Sequence, residues 1–322
     1  MDDKSKLHVV MFPWLAIGHL IPFLELSKCL ASKGHHVSFI STPRNIQRLP
    51  KLPQNLSPFI TLVNLPFPQI QNLPENAQSS TDIPMKKTQL LKRAFDGLQV
   101  DFAKFLENSK IPIDWIIYDY ASHWLPEIAN KLDIPCVYFC LFTAATLCFY
   151  GPPYALLSSE EARMTPESYT IVPKWIPSSS DIVYRLHEIL PNFEGFPDDI
   201  SGISDVTGDV PDTYRFGVAI RDCLGYGRVP VLLPMLNDQG LNARLMVGKK
   251  LGIEIPRNEQ DGSFTSESVA ELLRMVMVEK EGEVLRSNAR KMRGVFGDEN
   301  VMGHYVDDFV GYLQAHKRQH GS

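Results

Sequence analysis

LHVVMFPWLAIGHLIPFLELSKCLASKGHHVSFIS, residues 7–41, decides the fold. Its first six residues, Leu7–Phe12, form a short, almost wholly apolar and valine-bearing run, the pattern of a strand buried on both faces. A turn, PWLAIGH, follows. Leu20, Phe23, Leu24, Cys29 and Leu30 then recur at helical spacing over His19–Leu30. Pro22 is expected in the first turn of that helix, where a missing N–H costs little. Gly34 is a natural stop, and His36–Ser41 reads as a second strand. Strand, helix and strand make one right-handed crossover unit with parallel strands.

The pattern continues outward. Ile60–Leu65 reads as a third strand, and 66–84, rich in Pro, Gln, Asn and Ser, as a long surface loop. Met85–Asn108 predicts one amphipathic helix with Leu91, Phe95, Leu98, Phe102 and Phe105 on its apolar stripe. Trp115–Tyr118 is a strand ending at Asp119, His123–Leu132 a helix, and Cys136–Cys140 a strand. The fold class is α/β, with a Rossmann-type parallel sheet. Residues 159–223 show no clear period and are rich in Ser, Pro and Asp. Beyond them come a strand at Arg228–Leu233, a helix across Gly240–Lys250 and a short strand at Gly252–Ile255. Helices are expected at about 266–279, 281–294 and 303–317.

The chain has 322 residues, 44% apolar and 21% charged, with a formal net charge of −5. That is long enough for two domains with cores, expected at 1–223 and 224–322. Without a basic block there is no electrostatic footprint for nucleic acid. Five cysteines, at 29, 136, 140, 148 and 223, form no C-x-x-C pair. They suggest neither a zinc site nor a disulfide framework, but buried reduced thiols. No signal-peptide core follows MDDKSK, and the longest apolar run, 136–150, is too short to span a bilayer. A cytoplasmic monomer without stable membrane insertion is expected.

Several signatures are absent. No G-x-G-x-x-G follows the first strand, which disfavours a dinucleotide-dependent oxidoreductase, and neither G-x-x-x-x-G-K-[ST] nor G-x-S-x-G occurs. What remains is His19, just beyond the first strand, and Asp119, at the C-terminal end of a later one. Parallel sheets bind ligands at that edge. A carboxylate there can hold an imidazole in one tautomer and support deprotonation of a hydroxyl. A helix-capping His and a turn Asp that never meet explain the same spacing. A second cluster, Asn237, Asp238 and Gln239, follows the 228–233 strand; such groups can hydrogen-bond sugar hydroxyls, and they are also ordinary turn residues.

At these residues the chain resembles the plant UDP-sugar-dependent glycosyltransferases of the GT-B type. Residues 8–42 are similar to that family's opening strand, Gly-His turn and first helix. DWIIYDYASHWLPEIANKLDIPCVYF, 114–139, resembles its aspartate-bearing strand, and LGYGRVPVLLPMLNDQGLNARLM, 224–246, the tail of its donor-binding box. The wording is nearest the branch that adds a sugar to an existing glycoside, with UDP-rhamnose or UDP-glucose as donor. The resemblance implies that His19 is the general base, that Asp119 orients it, and that Asp238 and Gln239 hold the donor sugar. It implies inversion at the anomeric carbon, no cofactor and no metal, with a UDP-sugar and a small acceptor as partners. Gly18, Phe142 and Tyr150 are expected beside the acceptor, whose pocket would be lined from 66–84, the Met85 helix and 143–158. Phe149 and Tyr154 are further candidates, although aromatics here also suit a plain core.

The chain also departs from the family pattern. The Trp that stacks on uracil, the His-Cys-Gly-Trp-Asn-Ser stretch that holds the diphosphate and the Glu for ribose have no counterpart; Arg215–Cys223 stands in their place. Asp222, at the ribose-Glu spacing, reads as coincidence. A deletion joined near Cys223/Leu224 accounts for this, leaving an incomplete C-terminal donor domain. Thr207–Pro211 also looks foreign. Without a helix N-terminus for the diphosphate, leaving-group stabilisation is lost. The alternative to an active transferase is therefore an impaired relative that binds acceptor without turnover. The 228–233 strand is expected to lack neighbours, with open edges that invite aggregation or adventitious pairing.

Overall fold

The computed structural model describes residues 6–151, 163, 165–177, 179–193, 220–235 and 237–317. By packing, the chain divides into two compact units. One comprises Met1–Leu141, Pro197–Tyr214 and Gly303–Ser322; the other comprises Phe142–Phe196 and Arg215–Met302. This division is drawn differently from the 223/224 sequence boundary, since Phe142–Phe196 packs with the second unit. Thr207–Pro211 and Tyr154 lie outside the described residues.

The first unit is built on five parallel strands: β1 (His8–Phe12), β2 (His36–Ser41), β3 (Ile60–Asn64), β4 (Trp115–Tyr118) and β5 (Cys136–Tyr138). Their order is β3-β2-β1-β4-β5. The chain winds one way from β1 to β3 and the other way through β4 and β5, so the β1/β4 seam is the topological switch point. The register pairs Val9 with Trp115 and Phe12 with Tyr118. Alternation along β1 sends Val10 and Phe12 into one core layer, with Leu91, Phe95, Phe102 and Trp124. Val9 and Met11 enter the opposite layer, with Leu20, Phe23, Phe39 and Leu313. Both faces of β1 are therefore dry, which is why its sequence runs apolar without alternation.

Helix α1 (Ile17–Ser32) starts two residues earlier than the spacing suggests, so Pro22 falls inside it, and a short helix, α2 (Pro43–Arg48), follows β2. Pro22 has no N–H to give the Gly18 carbonyl four residues back. The helix expected at Met85–Asn108 is broken into a 3₁₀ turn and two helices, α3 (Thr88–Asp96) and α4 (Gln99–Glu107), meeting at Gly97. Leu91, Phe95, Leu98 and Phe102 are all buried, as their stripe requires, and Phe105 is partly so. Helix α5 is shorter than expected, Leu125–Lys131. The last helix, Glu299–Ala315, returns to the first unit: Val310 and Leu313 pack on the β1–β2 layer, and Trp115 Nε1–H donates to the Leu313 carbonyl at 2.9 Å.

In the second unit the expected 228–233 strand contracts to β6, Val231–Leu232, because Pro230 and Pro234 on either side carry no N–H for a ladder. It is not without a neighbour. It pairs in parallel with β7, Ile253–Glu254. Helix Gln239–Gly248 packs on β7, Ala289 of helix Glu283–Phe296 packs with Leu232, and helix Ser266–Met277 lies against Glu283–Phe296. The helical turn at 220–225 runs across the sequence junction at Cys223/Leu224. Ile220 and Leu224 pack there with Leu232, Ala243 and Ala289. Within the stretch that showed no period, helix Leu186–Phe193 forms and supplies Ile189 to a second cluster, with Phe149, Tyr184 and Leu241. Arg244 pairs with Glu188 and Glu254, and Arg185 with Glu254.

The five thiols are free, but they are not all buried: Cys29, Cys136, Cys140 and Cys223 are half-buried and Cys148 is exposed. No helix among the described residues is long and apolar enough to cross a membrane.

Candidate active site

Two turns converge at the C-terminal edge of the β1/β4 seam. After β1, the chain turns through Pro13–Ala16 with Ala16 N–H on the Trp14 carbonyl, and His19 enters the first turn of α1. After β4, Asp119 follows Tyr118 directly. Because Phe12 and Tyr118 are register partners, the two turns leave the sheet at the same level. His19 Nδ1 lies 2.7 Å from Asp119 Oδ2. The same oxygen accepts the Trp14 N–H at 2.9 Å, while Oδ1 accepts from the Ala121 N–H at 3.3 Å. The carboxylate thus ties both turns together. His19 is 4% exposed and Asp119 2%. With Nδ1–H donating to the carboxylate, Nε2 is left as the proton acceptor. The Tyr120 ring lies 5.6 Å from the His19 ring, centroid to centroid. Gly18 is buried in the same first helical turn.

Asp238 and Gln239, in the second unit, are oriented inward. Asp238 caps the Gln239–Gly248 helix by position and is 1% exposed. Its Oδ2 accepts from Asn242 Nδ2 at 2.9 Å and from Thr146 Oγ1 at 3.4 Å. Thr143, the N-cap of α6 (Ala144–Tyr150), donates from Oγ1 to Asn242 Oδ1 at 2.7 Å. Gln239 Oε1 accepts from the Met235 N–H at 2.9 Å. Asp238 Oδ2 and Gln239 Oε1 are thus engaged within the protein. Phe142 and Tyr150 meet, ring centroids 6.3 Å apart, and the Tyr150 hydroxyl is 3.0 Å from that of Tyr184. Burial pushes the Tyr150 hydroxyl up to about 12. Asp222 pairs with its neighbour Arg221 at 2.9 Å. Among the described residues, no group of three or more His, Cys, Asp and Glu side chains could hold a metal ion.

Sequence spacing did not point to Thr143, Thr146 or Asn242. Asn242 carries a local signal, four residues after Asp238 on one helix face. Thr146 lies 92 residues away and carries none. The Trp14 N–H is a backbone donor, invisible to residue type.

No family model matches the chain. UDP-glycosyltransferase 91C1 of Arabidopsis thaliana is 36% identical over 459 aligned positions, covering 98% of each chain. Soyasaponin III rhamnosyltransferase of Glycine max is 29% identical, covering 98% of this chain and 97% of that one. Aligning 322 residues over 459 positions nearly end to end leaves at least 137 of the relative's positions without a counterpart, and these lie inside the chain. Among solved structures, Arabidopsis thaliana UGT89C1 complexed with UDP-L-rhamnose matches with a TM-score of 0.65 at 16% identity, covering 96% of this chain and 99% of that one. The complex of the same protein with quercetin gives 0.66. The fold is that of the GT-B glycosyltransferases, here with part of their length missing. On these grounds the chain belongs to the plant UDP-glycosyltransferases, a family of enzymes.

Proposed function

We propose that the chain carries the acceptor-activating half of an inverting sugar transfer from a UDP-sugar to a hydroxyl of a small plant product or its glycoside. The 2.7 Å contact between His19 Nδ1 and Asp119 Oδ2 at the sheet's switch point carries this reading. His19 Nε2 takes the acceptor hydroxyl's proton. The acceptor oxygen forms a bond to the anomeric carbon as the bond from that carbon to the diphosphate oxygen breaks, and UDP leaves with the electron pair. Asp119 keeps Nδ1 protonated and balances the charge that His19 gains. Residues 1–223 form the acceptor part, and 224–322 retain the end of the donor part. A relative named as a cyanidin 3-O-galactoside xylosyltransferase favours a glycoside acceptor.

A second reading is favoured by other observations: an impaired relative that holds acceptor without turnover. At least 137 internal positions are missing, and Asp238 Oδ2 and Gln239 Oε1 already accept from Asn242, Thr146 and Met235. Diphosphate stabilisation is a large share of such catalysis, at about 1.4 kcal/mol per tenfold in rate. Calorimetric titration with UDP beside the Arabidopsis 91C1 relative separates the two. A Kd within about tenfold of the relative's, with turnover lost in His19→Ala, supports the active reading. A Kd weaker by more than about a hundredfold (roughly 2.7 kcal/mol) supports the impaired one.

A further inference from the structure

The turn that leads into His19 is held from two sides, and Asp119 supplies one of them. Asp119 takes the Trp14 N–H. On the other side the Ser80 N–H donates to the Leu15 carbonyl at 3.0 Å. Trp14, Leu15 and Ala16 are fully buried, so water cannot replace that donor without the turn opening. The Ala16 carbonyl, one residue on, accepts the His19 N–H at 2.9 Å. The Ser80 contact therefore acts next to the bond that starts the His19 turn.

Ser80 is itself fixed by Asp82. Ser80–Asp82 is one turn of 3₁₀ helix, closed by the Asp82 N–H on the Ser79 carbonyl at 2.9 Å. The Asp82 carboxylate accepts the Gln78 N–H at 3.1 Å and pairs with Arg48 and Arg44 of α2. Gln78 makes two further bonds to α2. Its Oε1 accepts the Arg44 N–H at 2.9 Å, and its carbonyl accepts from Asn45 Nδ2 at 2.7 Å. Ser79 and Asn45 are buried at this junction. Thr42 alone separates α2 from β2, and β2 lies beside β1. Both sides of the turn are thus anchored to the same sheet: one through β4 and Asp119, the other through β2, α2 and residues 78–82.

We propose that Ser80, through its backbone N–H, is a positioning residue for His19, with Asp82 holding it in place, a role that rests on His19 being the base. Residues 78–82 brace the Pro13–Ala16 turn so that His19 Nδ1 stays on Asp119. Ser80→Pro deletes the donor and the hydroxyl; Ser80→Ala deletes the hydroxyl alone. Proline is tolerated at the first position of a helical turn, and Ser79, at φ −143° and ψ 154°, already has the extended backbone that a residue before proline needs. Both variants are made in the full chain, and NMR follows water exchange of the Trp14 amide and of the His19 ring N–H. Ser80→Pro should speed both about fivefold, the worth of one buried hydrogen bond. It should leave unchanged the ring N–H of His8, which donates to the Pro112 carbonyl at the other end of β1. Ser80→Ala should match the parent chain. If Ser80→Pro does not fold, Asp82→Asn, which loosens the same segment, should give the same pattern. Unchanged Trp14 and His19 exchange in the folded variant, equal acceleration in Ser80→Ala, or equal acceleration at His8 would each overturn the brace. A parent chain whose His19 carries no Nδ1 proton would overturn the base assignment instead, and the Trp14 amide would then decide the brace alone.

Discussion

Phe12 and Tyr118 are partners in register, the last residues of two adjacent parallel strands. Each is followed by a turn, and the two turns share one carboxylate: Asp119 Oδ2 accepts from the Trp14 N–H and from His19 Nδ1. The site is therefore a property of the β1/β4 register rather than of either turn alone.

Asp119→Ala removes the acceptor for three buried donors at once, the Trp14 N–H, His19 Nδ1–H and the more loosely held Ala121 N–H. Each buried donor left without a partner costs about 1–3 kcal/mol, so the variant should lose about 2–4 kcal/mol of stability in urea unfolding. His19→Ala leaves the Trp14 N–H on Asp119 and should cost clearly less. Equal losses in the two variants would show that the carboxylate does not bridge the turns.

Trp115 Nε1–H on the Leu313 carbonyl spans 198 residues and fastens the last helix to the first unit. Trp115→Phe keeps most of the apolar contact and deletes the donor. A loss of about 1 kcal/mol is expected, with faster hydrogen exchange in the final turns of Glu299–Ala315. Unchanged exchange there would mean that packing of Val310 and Leu313 alone holds the helix.

Asp82 gives a pH signature. Burial by itself would raise its carboxyl, but hydrogen bonds from Arg48 and from the Gln78 N–H, with the charges of Arg48 and Arg44, hold it below the usual carboxylate range. A carboxyl lowered in the folded state stabilises above its unfolded pKa, and the benefit is lost as pH falls through the folded one. The melting-temperature advantage over Asp82→Asn should therefore be full at about pH 6 and shrink from about pH 4 downward. A gap that stays constant with pH would refute the ion-pair account.

Much of the first unit was legible because strands buried on both faces spell continuous apolar runs, as β1 and β4 do. The break at Gly97 was not. The stripe Leu91, Phe95, Leu98, Phe102 continues through it, and what shapes the bend is non-local: a Cβ on Gly97 would meet Pro68 Cγ at 2.9 Å. His19 and Asp119 stood out by position, but their contact, 100 residues apart, followed only from the register. The inward turn of Asp238 was hidden for the same reason, since Thr146 belongs to a distant helix. Cys148 is exposed rather than a buried thiol because the apolar run around it does not reveal which face of α6 is turned outward.

The proposed chemistry requires a bare Nε2 on His19. A ¹⁵N-histidine NMR spectrum of the intact chain at about pH 8 reads the tautomer directly. A His19 resonance pair with Nδ1 protonated, converting on Asp119→Asn, is the predicted result. A proton on Nε2, with Nδ1 unprotonated, would contradict the assignment of His19 as the base.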